Sequence, residues 1–267
     1  MVKVLLFSPN FEIATERWQP LQSQIYSYLA QKDGFDLDEL LGNQDTQANA
    51  WNEAPNCLIG VGVGHGNDDT FTGQNYDTLV SVALTHSMEL FKGKVFAPVS
   101  CLVGNKLLPT MAQNYGLGAG LGETVEYTFA YDPNKDPQYD EITWLFISAE
   151  AHFLHALALN YSSQKAYQFM LDAYEKNAQR IENDHPDIAQ WLRYDAKYRA
   201  FFGSGDWRVN PDQPEPQEPI PDPEIPEPPS PPPPPTPPPP PEQDFMHFPS
   251  YSITIFGKKI GEAKEEK

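Results

Sequence analysis

Two residues in this sequence are of types that together could do nucleophilic chemistry, His65 and Cys101. His65 closes the run "LIGVGVGHGNDD", residues 58–69, between Gly64 and Gly66; Cys101 closes the run "KVFAPVSC". An imidazole beside a thiol supplies a proton carrier and an attacking group, which is what covalent catalysis by cysteine requires. Glycine next to the histidine leaves bare backbone, so the amides of Gly66 and Cys101 could hold a developing oxyanion. Each residue also has an ordinary reading. A cysteine ending an apolar strand packs as a small hydrophobe, and a histidine at a strand end caps a turn. Three glycines, Gly60, Gly62 and Gly64, follow the same strand, but no Lys or Ser/Thr follows at the positions a phosphate loop needs. His152 and His155 sit three apart on a predicted helix without a third ligand nearby, which reads as an amphipathic helix surface.

The pair has meaning only if the chain brings the two runs together. "VKVLLFS", "NCLIGVGVG", "KVFAPVSC" and the Gly-rich "LGAGLGE" read as strands that are apolar almost throughout. Between them "PLQSQIYSYLAQK", with Pro20 at its first turn, "DTQANAWNEA", "TLVSVALTHSMELF" and "NKLLPTMAQNYG" read as helices. Such alternation predicts an α/β fold, a mostly parallel sheet covered by helices on both faces. In such sheets reacting groups collect beyond the carboxyl ends of the strands. A right-handed crossover between neighbouring strands brings His65 and Cys101 to the same edge. From residue 139 onward three long helical segments follow, running through "DEITWLFISAEAHFLHALAL", "SSQKAYQFMLDAYEKNAQRI" and "PDIAQWLRYDAKYRAFF", with Tyr194, Tyr198, Phe201 and Phe202 at helical spacing and "FGSGDW" as the stop.

Composition narrows the partners. With 267 residues and 40% apolar content the chain can bury a sizeable core. The net charge is −19, and residues 1–210 still carry 26 acidic against 14 basic groups, or −12. That body repels nucleic acid and anionic lipid. Two cysteines, Cys57 and Cys101, rule out a disulfide scaffold. The four-residue apolar run in "MVKVLLFSPNFE" is too short for a signal peptide and no window approaches a membrane span, so a soluble protein of a reducing cytoplasm is expected, unless separate machinery exports it or carries it into a virion. At Pro211 the composition breaks, and 19 of the 28 prolines fall within 31 residues. Residues 211–243 therefore read as an extended linker with a reach of up to about 95 Å at ~3.1 Å per residue. Residues 244–267 form a short terminal segment in which "SYSITIF" alternates Tyr251, Ile253 and Ile255 like a lone strand, either disordered or docked.

The motifs "VGVGHG" and "VFAPVSC", with His65 and Cys101 36 residues apart, resemble those of the clan CD cysteine peptidases: caspases, legumain, clostripain, separase and the gingipains. The downstream "VGNKLLPTMAQNYGLGAGLGETVEYTF" is similar to the gingipain side of the clan, and "FFGSGDWRV" to a turn that often closes these domains, with Trp207 where proline is expected. The likeness covers residues 50–131 well and the remainder of 1–210 loosely. The caspase signature Gln-Ala-Cys-x-Gly is absent, since Val99 and Ser100 precede Cys101 and the glycine falls at Gly104. The resemblance implies a three-layer caspase-like fold over 1–210, and pattern and composition add C-terminal helices (139–205 mainly helical) and a disordered Pro-rich tail. It implies Cys101 as nucleophile, His65 as the group that protonates the leaving amine, and Gly66 with Cys101 as oxyanion donors. No cofactor, metal or third catalytic residue is called for. Substrate contacts fall to Ser100, Glu123, Glu126 and Asp68, and a carboxylate among them favours P1 Arg or Lys. The expected partner is a protein or peptide substrate, cleaved by an endopeptidase, with the tail as tether, regulator or own substrate. The alternative is an inactive caspase-like scaffold whose proline-rich tail recruits partners.

Overall fold

In chain order the elements are β1 (Lys3–Ser8), α1 (Ile13–Asp33), β2 (Asp36–Leu41), α2 (Gln47–Glu53), β3 (Ile59–Val63), β4 (His65–Asn67), β5 (Thr70–Thr72), β6 (Thr78–Ser81), α3 (Thr85–Glu89), β7 (Val95–Val99), α4 (Leu107–Asn114), β8 (Ala119–Glu123), β9 (Thr128–Tyr131), α5 (Glu141–Ala158), α6 (Ser163–Ile181), α7 (Pro186–Tyr198), β10 (Arg199–Gly203), β11 (Ser252–Ile255) and β12 (Lys258–Glu262). They belong to a computed structural model that describes residues 1–232, 252–255 and 258–262. The rest of the proline run and Tyr251 lie outside the described residues.

The strands expected from their continuous apolar runs form the centre of a six-stranded sheet in the order β10-β8-β7-β3-β1-β2. All its pairings are parallel except that of β10 with β8. Successive side chains of a strand face opposite sides. Val4, Leu6, Val61, Val63, Ala97 and Val99 therefore pack on one face with α1, α5, α6 and α7, while Leu5, Phe7 and Phe96 pack on the other with α2, α3 and α4. Helices thus cover both faces of a mostly parallel sheet, the three-layer α/β arrangement read from the sequence. Among the described residues no helix is long and apolar enough to cross a membrane.

Several elements differ from the sequence reading, each for a local reason. α1 begins at Ile13, and Pro20 lies inside it. Ala14, Trp18, Leu21, Ile25 and Leu29 make one buried stripe through the proline, and burying that stripe outweighs the one lost backbone bond. Thr78–Ser81 is not helical but forms β6, paired antiparallel with β5, which pairs with β4 in a separate three-stranded sheet. Phe201 and Phe202 lie on β10 opposite Leu121 and Gly120, because α7 ends at Tyr198. α5 is buried on nearly all sides, so His152 and His155 lie inside the protein and not on an amphipathic surface.

Part of what covers α5 is the proline segment itself. Residues 211–232 contain no helix or strand, as their composition requires, but they lie against the domain where a free spacer was expected. Pro223, Ile225 and Pro228 are buried. Proline-rich backbone leaves its carbonyls without internal partners, and donors of the domain satisfy them. Tyr161 Oη donates to Glu218 O at 2.9 Å, Lys32 Nζ to Pro223 O at 2.6 Å and Trp144 Nε1 to Pro226 O at 2.9 Å. Lys165–Glu215, Lys176–Asp222 and Arg180–Glu227 add ion pairs at 2.9, 2.5 and 2.6 Å. The terminal segment is docked as well, β11 pairing antiparallel with both β9 and β12.

Candidate active site

β3 and β7 are parallel neighbours in a register that pairs Val63 with Val99, and the Gly64 amide donates to Val99 O at 3.1 Å. His65 and Cys101 each stand two residues beyond that pair, at the carboxyl end of the sheet. His65 opens β4 after the one-residue break at Gly64, whereas the sequence reading placed it at the end of β3. Gly66 follows it into contact with the cysteine loop. A Cβ on Gly66 would run into Ser100 Oγ and come within 2.8 Å of Cys101 O, so only glycine lets the two loops close on each other. Ser100 is fully buried in this contact, so it joins the two loops and does not line an open pocket.

The turn after Cys101 is held in an uncommon conformation. Leu102 has φ 62, a left-handed geometry that costs a bulky residue of order 1–3 kcal/mol. The Leu102 amide donates to Val125 O at 3.0 Å and the Gly104 amide to Glu123 O at 2.8 Å. The end of β8 and the residues just after it therefore fix the cysteine turn. Cys101 is 4% exposed, and burial pushes its thiol up to about 12. A backbone hydrogen bond from Tyr127 opposes that shift, and the nearby carboxyls of Glu126, Glu123 and Asp195 add to it. The thiol is protonated at rest.

His65 has a carboxylate neighbour that no sequence motif singles out. Glu12, the residue before α1, sets Oε1 3.0 Å from His65 Nε2. The imidazole also packs in a cluster of three rings, with Phe11 at 5.3 Å and Tyr76 at 5.0 Å from it and 4.8 Å from each other between centroids. Asn75 and Tyr76 are both left-handed, with φ 54 and 61, so the loop that brings Tyr76 over the histidine is itself strained. Glu12 is separated from His65 by two strands and two helices in the sequence. The only cue for it was its place at the carboxyl end of the first strand, where the same rule that found His65 and Cys101 applies.

The expected substrate acids divide. Asp68 and Glu126 are exposed. Asp68 accepts a hydrogen bond from Asn105 Nδ2 at 3.0 Å, tying the β4–β5 turn to the cysteine loop. Glu123 does not fit a pocket role: it is fully buried, with Oε1 3.7 Å from Arg199 Nη1. β7 pairs with β8 only at Val95 and Phe96, so the two strands part near Pro98, which has no amide to donate. Arg199 fills the opening, donating to Pro98 O at 2.7 Å and to Glu150 Oε2 at 2.9 Å. Burial holds the carboxyls of Glu123 and Asp195 well above the usual range, with Arg199 opposing.

No family model and no curated protein sequence matches the chain. Among solved structures it is similar to the complex of the pro- and mature domains of Porphyromonas gingivalis RgpB, at 9% identity over 78% of this chain and 48% of that chain, with a TM-score of 0.48. It is also similar to caspase-1 from Spodoptera frugiperda, at 12% identity over 76% of this chain and 85% of that one, with a TM-score of 0.45. The chain spans about half the length of the RgpB structure.

Proposed function

We propose that the protein is a cysteine endopeptidase in which Cys101 attacks the scissile carbonyl and His65 handles the proton. The observation that carries this reading is the register of β3 on β7, which sets an imidazole and a thiol at equal depth beyond neighbouring parallel strands. In the first step Cys101 Sγ bonds to the carbonyl carbon and its proton passes to the imidazole. The imidazole returns that proton to the departing amine as the C–N bond breaks, leaving an acyl-enzyme that water hydrolyses. The amides of Gly66 and Cys101 hold the oxyanion. Glu12 stabilises the imidazolium that forms between the two transfers. Because burial keeps the thiol protonated, thiolate forms only as substrate closes the site and the proton has an acceptor. With Glu123 committed to Arg199, preference for P1 Arg or Lys rests on the exposed Glu126 and Asp68.

The test is hydrolysis of peptides with P1 Arg or Lys beside peptides with P1 Asp or Asn, using wild type, Cys101→Ala and His65→Ala. Turnover should favour basic P1, and each substitution should cost about 10³-fold or more. Equal turnover of all peptides defeats the P1 assignment alone. A second reading, an inactive caspase-like scaffold, is favoured by one observation, the 4% exposure of Cys101 with its raised thiol. Wild type that cleaves no peptide and carries a Cys101 inert to iodoacetamide in the folded state establishes that reading instead.

A further inference from the structure

β11 points toward the segment that holds the cysteine turn. β11 pairs antiparallel with β9, Ser252 opposite Tyr131 and Ile255 opposite Thr128, so its chain direction runs toward the segment 123–127. That is the segment whose Glu123 and Val125 carbonyls hold Gly104 and Leu102. β9 itself is an edge. The Thr128 amide is taken by Asp195 Oδ1 at 3.2 Å and the Ala130 carbonyl by Thr143 Oγ1 at 3.4 Å, both toward the domain. Because backbone groups alternate sides along a strand, Phe129 and Tyr131 present their amides and carbonyls outward, to β11. Among the described residues β11 is the only strand paired with β9.

An edge of this kind binds extended polypeptide through main-chain bonds, with little demand on sequence. Here the occupant comes from the chain's own far end. The docked proline segment and β11 are separated by the 19 residues 233–251. At up to about 3.3 Å per residue they reach roughly 60 Å, about twice the length of α1, so one molecule can supply both.

We propose that residues 252–255 are a built-in competitor: in the full-length protein they fill, as an added strand on β9, the edge along which an extended polypeptide substrate approaches Cys101. This rests on the peptidase reading for the word substrate, but the strand pairing stands apart from it. A tethered occupant sits at a high effective concentration and raises the apparent KM of a substrate that needs the same edge, without altering kcat.

The experiment uses the full-length chain with Ile253→Pro and Thr254→Pro together. β11 is a middle strand, so adjacent prolines remove one amide facing β9 and one facing β12. Two quantities are read. Amide exchange at Phe129 and Tyr131, followed by NMR, should quicken at least tenfold in the variant. The KM for an extended peptide should fall several-fold with kcat unchanged, and the synthetic heptapeptide of residues 250–256 should then inhibit the variant competitively. Unchanged exchange overturns the pairing whatever the activity. Faster exchange with KM unmoved shows a docked strand outside the substrate's path and overturns the competitor. If wild-type protection fades on dilution as a dimer dissociates, a second copy supplies the strand and the intramolecular form is overturned. A chain that cleaves nothing removes the peptidase reading and the competitor with it, while the exchange result still decides the pairing.

Discussion

α1 carries an imidazole–carboxylate pair at each end. At its start Glu12 meets His65 at 3.0 Å; at its last residue Asp33 meets His155 Nδ1 at 2.8 Å. The helix is about 30 Å long at 1.5 Å per residue, so the two pairs mark opposite ends of the sheet. Near-equal distances conceal different situations. His155 is 1% exposed, its Nε2 is bonded to Pro221 O at 3.0 Å, and the docked proline segment closes over it. Both ring nitrogens are committed, and the pair clamps the segment to the helices. Glu12 stands where the helix dipole favours a carboxylate, Asp33 where it does not. Around His65 the backbone is left-handed at Asn75, Tyr76 and Leu102, and a thiol lies at the end of the next strand. One end of the sheet satisfies its polar groups to hold a surface down. The other keeps strain and charge where a reaction would use them.

The largest effect that would sharpen this contrast lies under the end that carries His65 and Cys101. Arg199 holds Glu150 at 2.9 Å in full burial, so Arg199→Met leaves that carboxylate without its counter-charge and with the Tyr174 hydroxyl at 2.7 Å as its remaining donor. The expected loss is about 3–5 kcal/mol of stability, read by urea unfolding. A smaller loss than that of an ordinary core truncation would mean the opening between β7 and β8 relaxes without its arginine.

Next in size is an acid dependence at the closed end. Burial lowers the His152 imidazole to about 4 from 6.5, against the hydrogen bond to Ser148 O at 2.6 Å. The unfolded chain takes up a proton near pH 6.5 while the folded imidazole waits until about 4, so more protons are bound unfolded between these values. Stability therefore rises with pH across that window and is lost as pH falls through it, by about 3 kcal/mol in all. Urea unfolding at pH 7 and pH 4.5 should show a shallower loss in His152→Asn. Equal slopes in the two proteins would assign the acid sensitivity elsewhere.

What the sequence made legible follows the same division. β1, β3, β7 and β8 were readable because buried parallel strands are apolar throughout, and the rule that chemistry gathers beyond their carboxyl ends pointed at His65 and Cys101. β6 was not readable, because "TLVSVALTHSMELF" is apolar at both periods and only its partner β5 decides the matter. Glu123 was misjudged because a buried acid and a pocket acid look alike until Arg199 is seen beside it. The docking of residues 211–232 was invisible because proline composition predicts an extended chain without saying what it lies on. Glu12 was missed because its partner is distant in sequence and loops show no periodicity.

Glu12 also offers the finest test of the contrast between the two ends. If the pair at the start of α1 is only structural, like its counterpart at the other end, Glu12→Gln should disturb folding and leave turnover alone. If it serves the imidazolium, the reverse holds. Glutamine keeps the shape and an oxygen facing the ring but removes the negative charge. The expected loss is about 10- to 100-fold in kcat, about 1.4–2.7 kcal/mol, with KM unmoved. Glu12 is 24% exposed at its side chain and lies outside the core, so the unfolding midpoint should hardly shift. Glu12→Asp keeps the charge on a shorter arm and should recover part of the rate, which a packing role would not produce. A lowered midpoint with kcat intact would make the two pairs alike, and the asymmetry of the sheet would then rest on Cys101 alone.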